Sequence, residues 1–212
     1  MIPASVEPSH RDPVDFYADH ALAFDAARSR SLEERAWLDA FLAPVPAGGH
    51  VLDLGCGSGE PMAAYMLARG MRVTGVDPSA ALLALARSRF PQARWVAGDM
   101  RTLDLSMRFD AILAWDSLFH LTRDAQRAAI ARIADHAAPG ATFMFTSGGE
   151  EGEAINAMFG EPLYHASLEP DEYRALLAAR GFHVLRHVAG DAHCGGRTIW
   201  LAQRAPNGEL DD

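Results

Sequence analysis

Three glycines at alternate positions follow a short apolar run in the stretch VLDLGCGSGEP, residues 51–61. Because glycine has no side chain and tolerates positive φ, Gly55, Gly57 and Gly59 would let a ligand touch the backbone directly. The N-terminus of a following helix would favour polar or anionic groups there. The spacing departs from the GxGxxG pattern of dinucleotide sites, since the third glycine comes one residue early and Glu60 stands where a pyrophosphate would be repelled. The pattern favours a nucleotide-like ligand other than a dinucleotide.

Carboxylates recur beside this turn and after the next two apolar runs. Asp77, 22 residues after Gly55, can accept hydrogen bonds from both hydroxyls of a ribose. Asp99 can accept from an adenine amino group, with Met100 lying on the ring. Asp53, just before the turn, either orients the loop or meets an ammonium group. The alternatives are that Asp77 only caps a helix and that Asp99 is an ordinary turn residue.

The elements that position these residues alternate between predicted strands and helices. Runs that are apolar on both faces are typical of a parallel sheet covered by helices on both sides. Asp12 and Pro13 predict the start of a helix in the first forty residues. Two late strands, 182–190 and 197–204, are separated by a loop too short for a parallel crossover and are predicted to pair antiparallel. The earlier strands are predicted at 50–55, 72–77, 93–99, 109–116 and 141–147.

The stretches VLDLGCGSGEP, VTGVDPS, AGDM and FDAILAWDSLFHL, in that order and spacing, resemble the class I S-adenosylmethionine-dependent methyltransferases. The resemblance is close over roughly residues 31–147, and the terminal hairpin agrees with it. It implies an α/β, Rossmann-like seven-stranded sheet, mostly parallel with an antiparallel C-terminal strand and helices on both faces. It also implies S-adenosyl-L-methionine as cofactor and S-adenosyl-L-homocysteine as product. The cofactor-binding residues that it implies are Tyr17, Arg28, Asp53, Gly55, Gly57, Gly59, Asp77, Pro78, Asp99, Met100 and Trp115.

Within this set, the resemblance places the methionine part of the cofactor in the glycine turn, the ribose on Asp77 and the adenine beside Asp99 and Met100. The chain is interpreted as one domain, 1–212, whose residues 1–45 form an N-terminal helical cap. Helices of this kind often close over the cofactor in the family, which makes Tyr17 and Arg28 candidates, Arg28 for the methionine carboxylate. The alternative is that both are ordinary helix residues.

The catalytic candidates lie in the loop after the fourth predicted strand. A sulfonium methyl group is already electrophilic, so placing a nucleophile in line with it can supply ~7–11 kcal/mol, and a base is needed only if the acceptor must lose a proton. Relatives that methylate base amino groups often carry an (Asp/Asn)-Pro-Pro-aromatic motif here, and this chain has none. It offers Asp116 and His120, and His120 is the predicted general base because its ordinary pKa is near 6.5. Alternatively, His120 only caps or packs.

Residues 148–168 are predicted to form an acceptor-site insertion, because they are too many for a simple connection after the fifth strand. The alternative is a surface lid without direct contact. Three glutamates, Glu150, Glu151 and Glu153, weakly favour cationic or neutral acceptors. The predicted substrate-binding residues are Phe119, Phe159, Tyr164 and His165.

The amino-acid composition limits the classes of partner that the protein is expected to bind. A formal net charge of −9 argues against nucleic-acid binding, and no apolar run approaches the ~20 residues that span a membrane. The N-terminus lacks the features of a signal peptide, and Cys56 and Cys194 form no CxxC pair, so a cytoplasmic monomer or homodimer is expected.

No metal site is predicted, since His183 and His187 in one strand would lie ~13 Å apart. Arg197 is interpreted either as an anion contact or as an exposed residue.

The predicted function is therefore methyl transfer to an oxygen, nitrogen or sulfur of a small-molecule acceptor. Two alternatives stay open: a protein or RNA methyltransferase that works with a partner, and a non-catalytic protein that binds the cofactor or its demethylated product. An NAD-dependent oxidoreductase is disfavoured by the early third glycine and by Glu60.

Overall fold

A computed structural model of the chain describes residues 12–206. Helices and strands alternate through most of this range, as predicted. The described helices are α1 (Pro13–Asp19), α2 (Ala21–Ala27), α3 (Arg35–Leu42), α4 (Met62–Ala68), α5 (Ala80–Arg89), α6 (Arg123–Asp135) and α7 (Pro170–Ala178). The described strands are β1 (His50–Leu54), β2 (Arg72–Asp77), β3 (Arg94–Ala97), β4 (Phe109–Ala114), β5 (Ala137–Ser147), β6 (Gly152–Met158), β7 (Glu161–Ser167), β8 (Phe182–Asp191) and β9 (Arg197–Arg204).

Seven of these strands form one sheet in the order β3-β2-β1-β4-β5-β9-β8. Strands β1 to β5 pair in parallel, whereas β9 is antiparallel to both β5 and β8. The predicted mostly parallel sheet with an antiparallel C-terminal strand is confirmed. The strand order reverses between β1 and β4, so the carboxyl ends of these two strands flank the position where open α/β sheets bind ligands.

The sheet is buried on both faces because its strands carry apolar residues at successive positions. Val51 and Leu52 of β1 are both fully buried but belong to different core clusters, one on each face. Trp37 of α3 packs in the cluster with Val51, and Ile133 of α6 packs in the cluster with Leu52. Two helical layers therefore fix the sheet, as predicted, and hold its carboxyl edge in place.

The N-terminal segment forms two short helices where it is described. Asp12 caps α1 by accepting a hydrogen bond from the backbone of Val14 at 2.8 Å, and Pro13 takes the first helical position, as predicted. The helical path is interrupted at His20, which lies between α1 and α2. The part of the predicted helical cap at residues 1–11 lies outside the described residues.

Residues 148–168 fold mainly as a β-hairpin separate from the main sheet. Strands β6 and β7 pair antiparallel from Gly152 opposite Ser167 to Met158 opposite Glu161. The turn of this hairpin contacts α1, where the rings of Phe16 and Phe159 stack at 6.3 Å between centroids. The predicted insertion is thus an ordered hairpin, and the hairpin packs on the N-terminal helices.

Candidate functional site

A cleft of about 140 Å³ lies at the carboxyl ends of β1, β2 and β4, where the strand order reverses. The N-terminal helices contribute Asp12, Pro13, Val14, Tyr17, Phe24 and Arg28 to its lining. Both predicted catalytic residues, Asp116 and His120, line it as well. Except for Gly59, all the predicted cofactor-binding residues line it: Tyr17, Arg28, Asp53, Gly55, Gly57, Asp77, Pro78, Asp99, Met100 and Trp115.

The glycine turn has positive φ at all three glycines, but their surroundings differ. A Cβ on Gly55 would lie 2.4 Å from the Cβ of Ser117, so the bare backbone there permits the close approach of the β4 loop. A Cβ on Gly59 would lie 3.0 Å from the ring of Trp95, on the side away from the cleft. The structure therefore places Gly59 as a packing position of the turn, whereas Gly55 and Gly57 face the cleft.

Asp77 holds the turn through its carboxylate. Oδ2 accepts a hydrogen bond from the backbone of Gly57, and Oδ1 accepts one from the backbone of Ser79, each at 2.8 Å. Burial raises the pKa of Asp77 to about 6, opposed by these two hydrogen bonds. Because each carboxylate oxygen has a further lone pair, the side chain can brace the turn and still accept from hydroxyl groups in the cleft.

Asp53 is the least satisfied carboxylate at the cleft. It is 2% exposed, and its Oδ2 has no hydrogen-bond partner among the described residues. Burial raises the pKa of Asp53 to about 7, the negative charge of Asp77 raises it further, and the positive charge of Arg28 opposes both. A buried carboxylate oxygen without a donor is a position that an ammonium group would satisfy.

Asp116 bridges two arginines. Arg197 donates from Nε to Oδ1 at 2.9 Å and from Nη2 to Oδ2 at 2.9 Å, and Arg28 donates from Nη1 to Oδ2 at 3.3 Å. The second nitrogen of Arg28 lies 3.5 Å from the carboxylate of Glu34. The structure thus engages both oxygens of Asp116 in ion pairs, an arrangement that suits orientation of Arg28 better than proton transfer.

His120 lines the cleft, and its hydrogen-bond partners show which ring nitrogen carries the proton. Its Nδ1 lies 3.2 Å from the backbone carbonyl of Tyr164, which only accepts, so Nδ1 carries the proton. Its Nε2 therefore accepts from the hydroxyl of Tyr17 at 3.0 Å. Burial lowers the pKa of His120 to about 4, and burial raises the pKa of Tyr17 above its ordinary value. The imidazole is neutral at pH 7 and a weaker base than its ordinary pKa predicts.

The alternative capping role of His120 belongs to another residue. The side chain of Thr122 accepts from the backbone of Ala125 at 3.3 Å and caps α6. His120 ends the preceding 3-10 turn and packs against the rings of Phe119 and His165, both at 4.8 Å between centroids. It is both packed and hydrogen-bonded at the cleft.

Asp99 and Met100 lie on the cleft wall beyond Asp77. The carboxylate of Asp99 accepts from the backbone of Arg101 at 2.8 Å and from its Nε at 2.8 Å, which caps a 3-10 turn. Met100 is half-buried next to the glycine turn, with its Cε 3.7 Å from where a Cβ on Gly55 would be. Asp99 therefore combines the turn role of the alternative interpretation with a position at the cleft.

The predicted substrate-binding residues are divided among three places. Phe119 and His165 line a second cavity, of about 340 Å³, under the hairpin. Tyr164 is buried, and Phe159 is 40% exposed and lies against α1. The structure does not bring these four side chains together on one surface.

Arg197, for which the sequence left two interpretations open, lies behind the cleft wall and contacts Asp116. Its side chain is 24% exposed and ion-paired rather than free. The strand topology determines the position of Arg197. Because β9 runs antiparallel to β5, with Thr198 opposite Ser147, the first residue of β9 must lie at the carboxyl end of β5. That end belongs to the cleft edge of the sheet.

Two further observations concern the described residues as a whole. Within residues 12–206, no helix has the length and apolar character needed to cross a bilayer. In the same range, no three His, Cys, Asp or Glu side chains are grouped so as to hold a metal ion.

Comparison with known proteins gives consistent matches. Residues 51–140 match a family model described as a methyltransferase domain. The trans-aconitate 2-methyltransferase of Paracidovorax citrulli is 47% identical over 58 residues, 27% of this chain and 22% of that protein. The dTDP-3-amino-3,6-dideoxy-alpha-D-glucopyranose N,N-dimethyltransferase of Streptomyces fradiae is 38% identical over 96 residues, 44% of this chain and 37% of that protein. The matches thus span between 22% and 37% of these relatives.

Solved structures match over most of the chain. CalS10, an amino pentose methyltransferase from Micromonospora echinaspora solved with bound SAM, has a TM-score of 0.68 and 26% identity, covering 88% of this chain and 96% of that chain. The 1,6-didemethyltoxoflavin-N1-methyltransferase of Burkholderia thailandensis shares the fold, with a TM-score of 0.66 and 24% identity over 97% of this chain and 98% of that chain.

Proposed function

We infer that this chain, a member of the class I S-adenosylmethionine-dependent methyltransferases, transfers the methyl group of S-adenosyl-L-methionine to a small-molecule acceptor. The matched relatives carry out methyl transfer to a carboxylic acid and to an amino sugar, according to their names. We propose the same class of activity here, with an amine nitrogen as the accepting atom.

The observation that carries this proposal is the unpartnered, buried Oδ2 of Asp53 in a cleft built by a glycine turn. A nucleoside with an attached amino acid fits the groups around it. Asp53 would meet the α-ammonium, Arg28 the α-carboxylate and Asp77 the ribose hydroxyls, while Asp99 and Met100 would meet the adenine. When bound, S-adenosylmethionine supplies an electrophilic methyl group on a sulfonium.

The charges near the cleft favour an amine over a polycarboxylate acceptor. Two arginines line the cleft: Arg28 is assigned to the α-carboxylate of the cofactor, and Arg101 is paired with Asp99. The second cavity is lined by Glu150 and Glu153 and by no arginine in the described chain. An acceptor with several carboxylates would find no uncommitted cation and would be repelled by the carboxylates of the site, whereas an uncharged amine would not be repelled.

The Tyr17–His120 pair supports the same choice of atom. The hydroxyl of Tyr17 donates to neutral Nε2 of His120, so the Tyr17 oxygen keeps a lone pair that can accept from an N–H group of the acceptor at the cleft wall. With a pKa of about 4, His120 is a poor base for generating an alkoxide. An amine that reaches the cleft uncharged needs orientation more than deprotonation.

Release of S-adenosylhomocysteine tests the proposal in a panel of small amines, alcohols, thiols and carboxylic acids. We expect turnover with amines above that with carboxylic acids. Isothermal titration calorimetry with S-adenosylhomocysteine and with NAD provides the ligand test. Tight binding of NAD without binding of S-adenosylhomocysteine would remove the proposal, and turnover confined to polycarboxylates would refute the choice of acceptor.

A further inference from the structure

Arg197 makes a bidentate ion pair with Asp116, which lines the cleft, but comes from the distant β9 strand. Its guanidinium contacts both oxygens of Asp116 at 2.9 Å and donates from Nη1 to the backbone carbonyl of Cys194 at 3.2 Å. Three fixed contacts hold the guanidinium in one orientation. A planar guanidinium held by a carboxylate in this bidentate way is geometrically well defined.

Asp116 is itself fixed by the backbone. Its φ of +48° is in the left-handed region, and its backbone N–H donates to the hydroxyl of Thr146 at 2.9 Å. The carboxylate is therefore held between two cations, Arg197 on one side and Arg28 on the other. Arg28 is the more loosely held of the two, at 3.3 Å from Asp116 and 3.5 Å from Glu34.

Trp115 adds a second unsatisfied polar atom to this end of the cleft. The side chain is 4% exposed and lines the cleft, and its indole N–H has no acceptor among the described residues. The guanidinium of Arg197 lies over the same indole ring, 5.8 Å from its centroid. A buried donor without an acceptor, at the end of the cleft where Arg28 also lies, fits an incoming carboxylate.

We propose that Arg197 is a positioning residue for the carboxylate end of the cofactor, a role that rests on the proposed function. By neutralising Asp116, it leaves Arg28 free to donate to the ligand's α-carboxylate together with the indole N–H of Trp115. Without Arg197, Arg28 alone neutralises the negative charge of Asp116. Arg28 then turns toward Asp116 and away from the ligand. Arg197 acts through Arg28 and does not itself touch the ligand.

Two ligands distinguish this role of Arg197 from a general effect of the substitution on the cleft. S-adenosylhomocysteine carries the amino-acid part, and 5′-deoxy-5′-methylthioadenosine lacks it. In calorimetric titrations, Arg197→Gln should weaken the binding of S-adenosylhomocysteine by about 10-fold to 150-fold, the range of one charge-assisted hydrogen bond, and leave the binding of methylthioadenosine within about twofold. Arg127→Gln removes a surface arginine paired with Glu172 and serves as the matched control, with both affinities unchanged.

A double variant provides the rescue. Adding Asp116→Asn to Arg197→Gln removes the charge that competes for Arg28, so most of the lost affinity for S-adenosylhomocysteine should return. A purely structural role for Arg197 predicts instead that the double variant binds no better than the single one. Thermal melting of each variant identifies any loss of folded protein.

The outcomes are distinct. A selective loss with rescue supports the role of Arg197. An equal loss for both ligands, an unchanged affinity for S-adenosylhomocysteine, or a loss without rescue would each overturn it. If the unaltered protein binds methylthioadenosine but gains nothing from the amino-acid part, the proposed function fails first, and the role of Arg197 falls with it.

Discussion

Replacing Asp53 with Asn should make the protein more stable and bind its ligand less tightly. The pKa of Asp53 is about 7 in the folded protein and 3.8 in the ordinary side chain. Each pKa unit corresponds to about 1.4 kcal/mol, so holding the ionised carboxylate in its buried position costs about 4 kcal/mol once the pH exceeds 7. The amide has nearly the same shape and carries no charge, and it avoids this cost.

The pH dependence follows from the direction of the pKa change. Because the folded pKa is raised, the contribution of Asp53 to stability is fully present below pH 3.8 and is lost as the pH rises to about 7. The stability of Asp53→Asn relative to the unaltered protein should therefore grow by about 3 kcal/mol between pH 5 and pH 8. Urea denaturation at both pH values measures the difference. A difference that stays constant with pH would refute the reasoning.

Ligand binding should change in the opposite direction. In the unaltered protein, the ligand's ammonium group makes a charge-assisted hydrogen bond with ionised Asp53. Asp53→Asn removes this bond and should weaken the binding of S-adenosylhomocysteine by about 10-fold to 150-fold. In the unaltered protein, affinity should fall as the pH drops below about 7, since the carboxyl must give up its proton before it can meet the ammonium. Methylthioadenosine, which has no ammonium group, is the matched control. Equal losses for both ligands would contradict the assignment.

Three further variants test separate parts of the structure. His120→Ala should lower kcat by about 10-fold or more while leaving the affinity for S-adenosylhomocysteine unchanged, and an unaltered kcat across the pH range would contradict its role at the acceptor. Gly75→Ala should lower the free energy of unfolding by about 2 kcal/mol or more, because its Cβ would lie 2.3 Å from the ring of Trp95, whereas Gly152→Ala meets no atom within 4 Å and should be neutral in urea denaturation. Phe159→Ala should raise the KM for the acceptor and increase proteolysis within the N-terminal helices, since the ring packs on α1; unchanged KM and cleavage would argue against a closing role for the hairpin turn.

The sequence predicted the sheet because the apolar runs and helix caps are local properties. Asp12, Ser79 and Thr122 all cap the helices that their positions indicate. Ser31 and Glu34 have the spacing of a capping box, yet buried Glu34 pairs with Arg28 and α3 begins at residue 35. Capping patterns do not report this ion pair, although its two residues are close in the sequence.

The cleft was predictable in its outline but not in its protonation. Motif spacing brought Asp53, Asp77 and Asp99 to one edge of the sheet, as the parallel topology requires. The tautomer of His120 depends on the carbonyl of Tyr164, which belongs to a hairpin that is 44 residues away in the chain. Burial lowers the pKa of His120, and the hydrogen bond to that carbonyl opposes the decrease. Burial of that ring is a tertiary property, so the ordinary pKa of histidine was the wrong starting point for its chemistry.

The distribution of partners around the cleft also explains how one cofactor is selected. Asp77, Asp99 and Asp116 are each held by donors from the protein, so none of them demands a cation from the ligand. Asp53 alone among these four has a buried oxygen without a donor, and Trp115 has a buried donor without an acceptor. A zwitterion satisfies both atoms at once, whereas a simple nucleoside satisfies neither and leaves their desolvation uncompensated. Three changes made together, Asp53→Asn, Trp115→Phe and Arg28→Gln, should therefore bring the affinities for S-adenosylhomocysteine and methylthioadenosine close to each other. A persistent preference of more than about tenfold would place the recognition of the amino acid elsewhere.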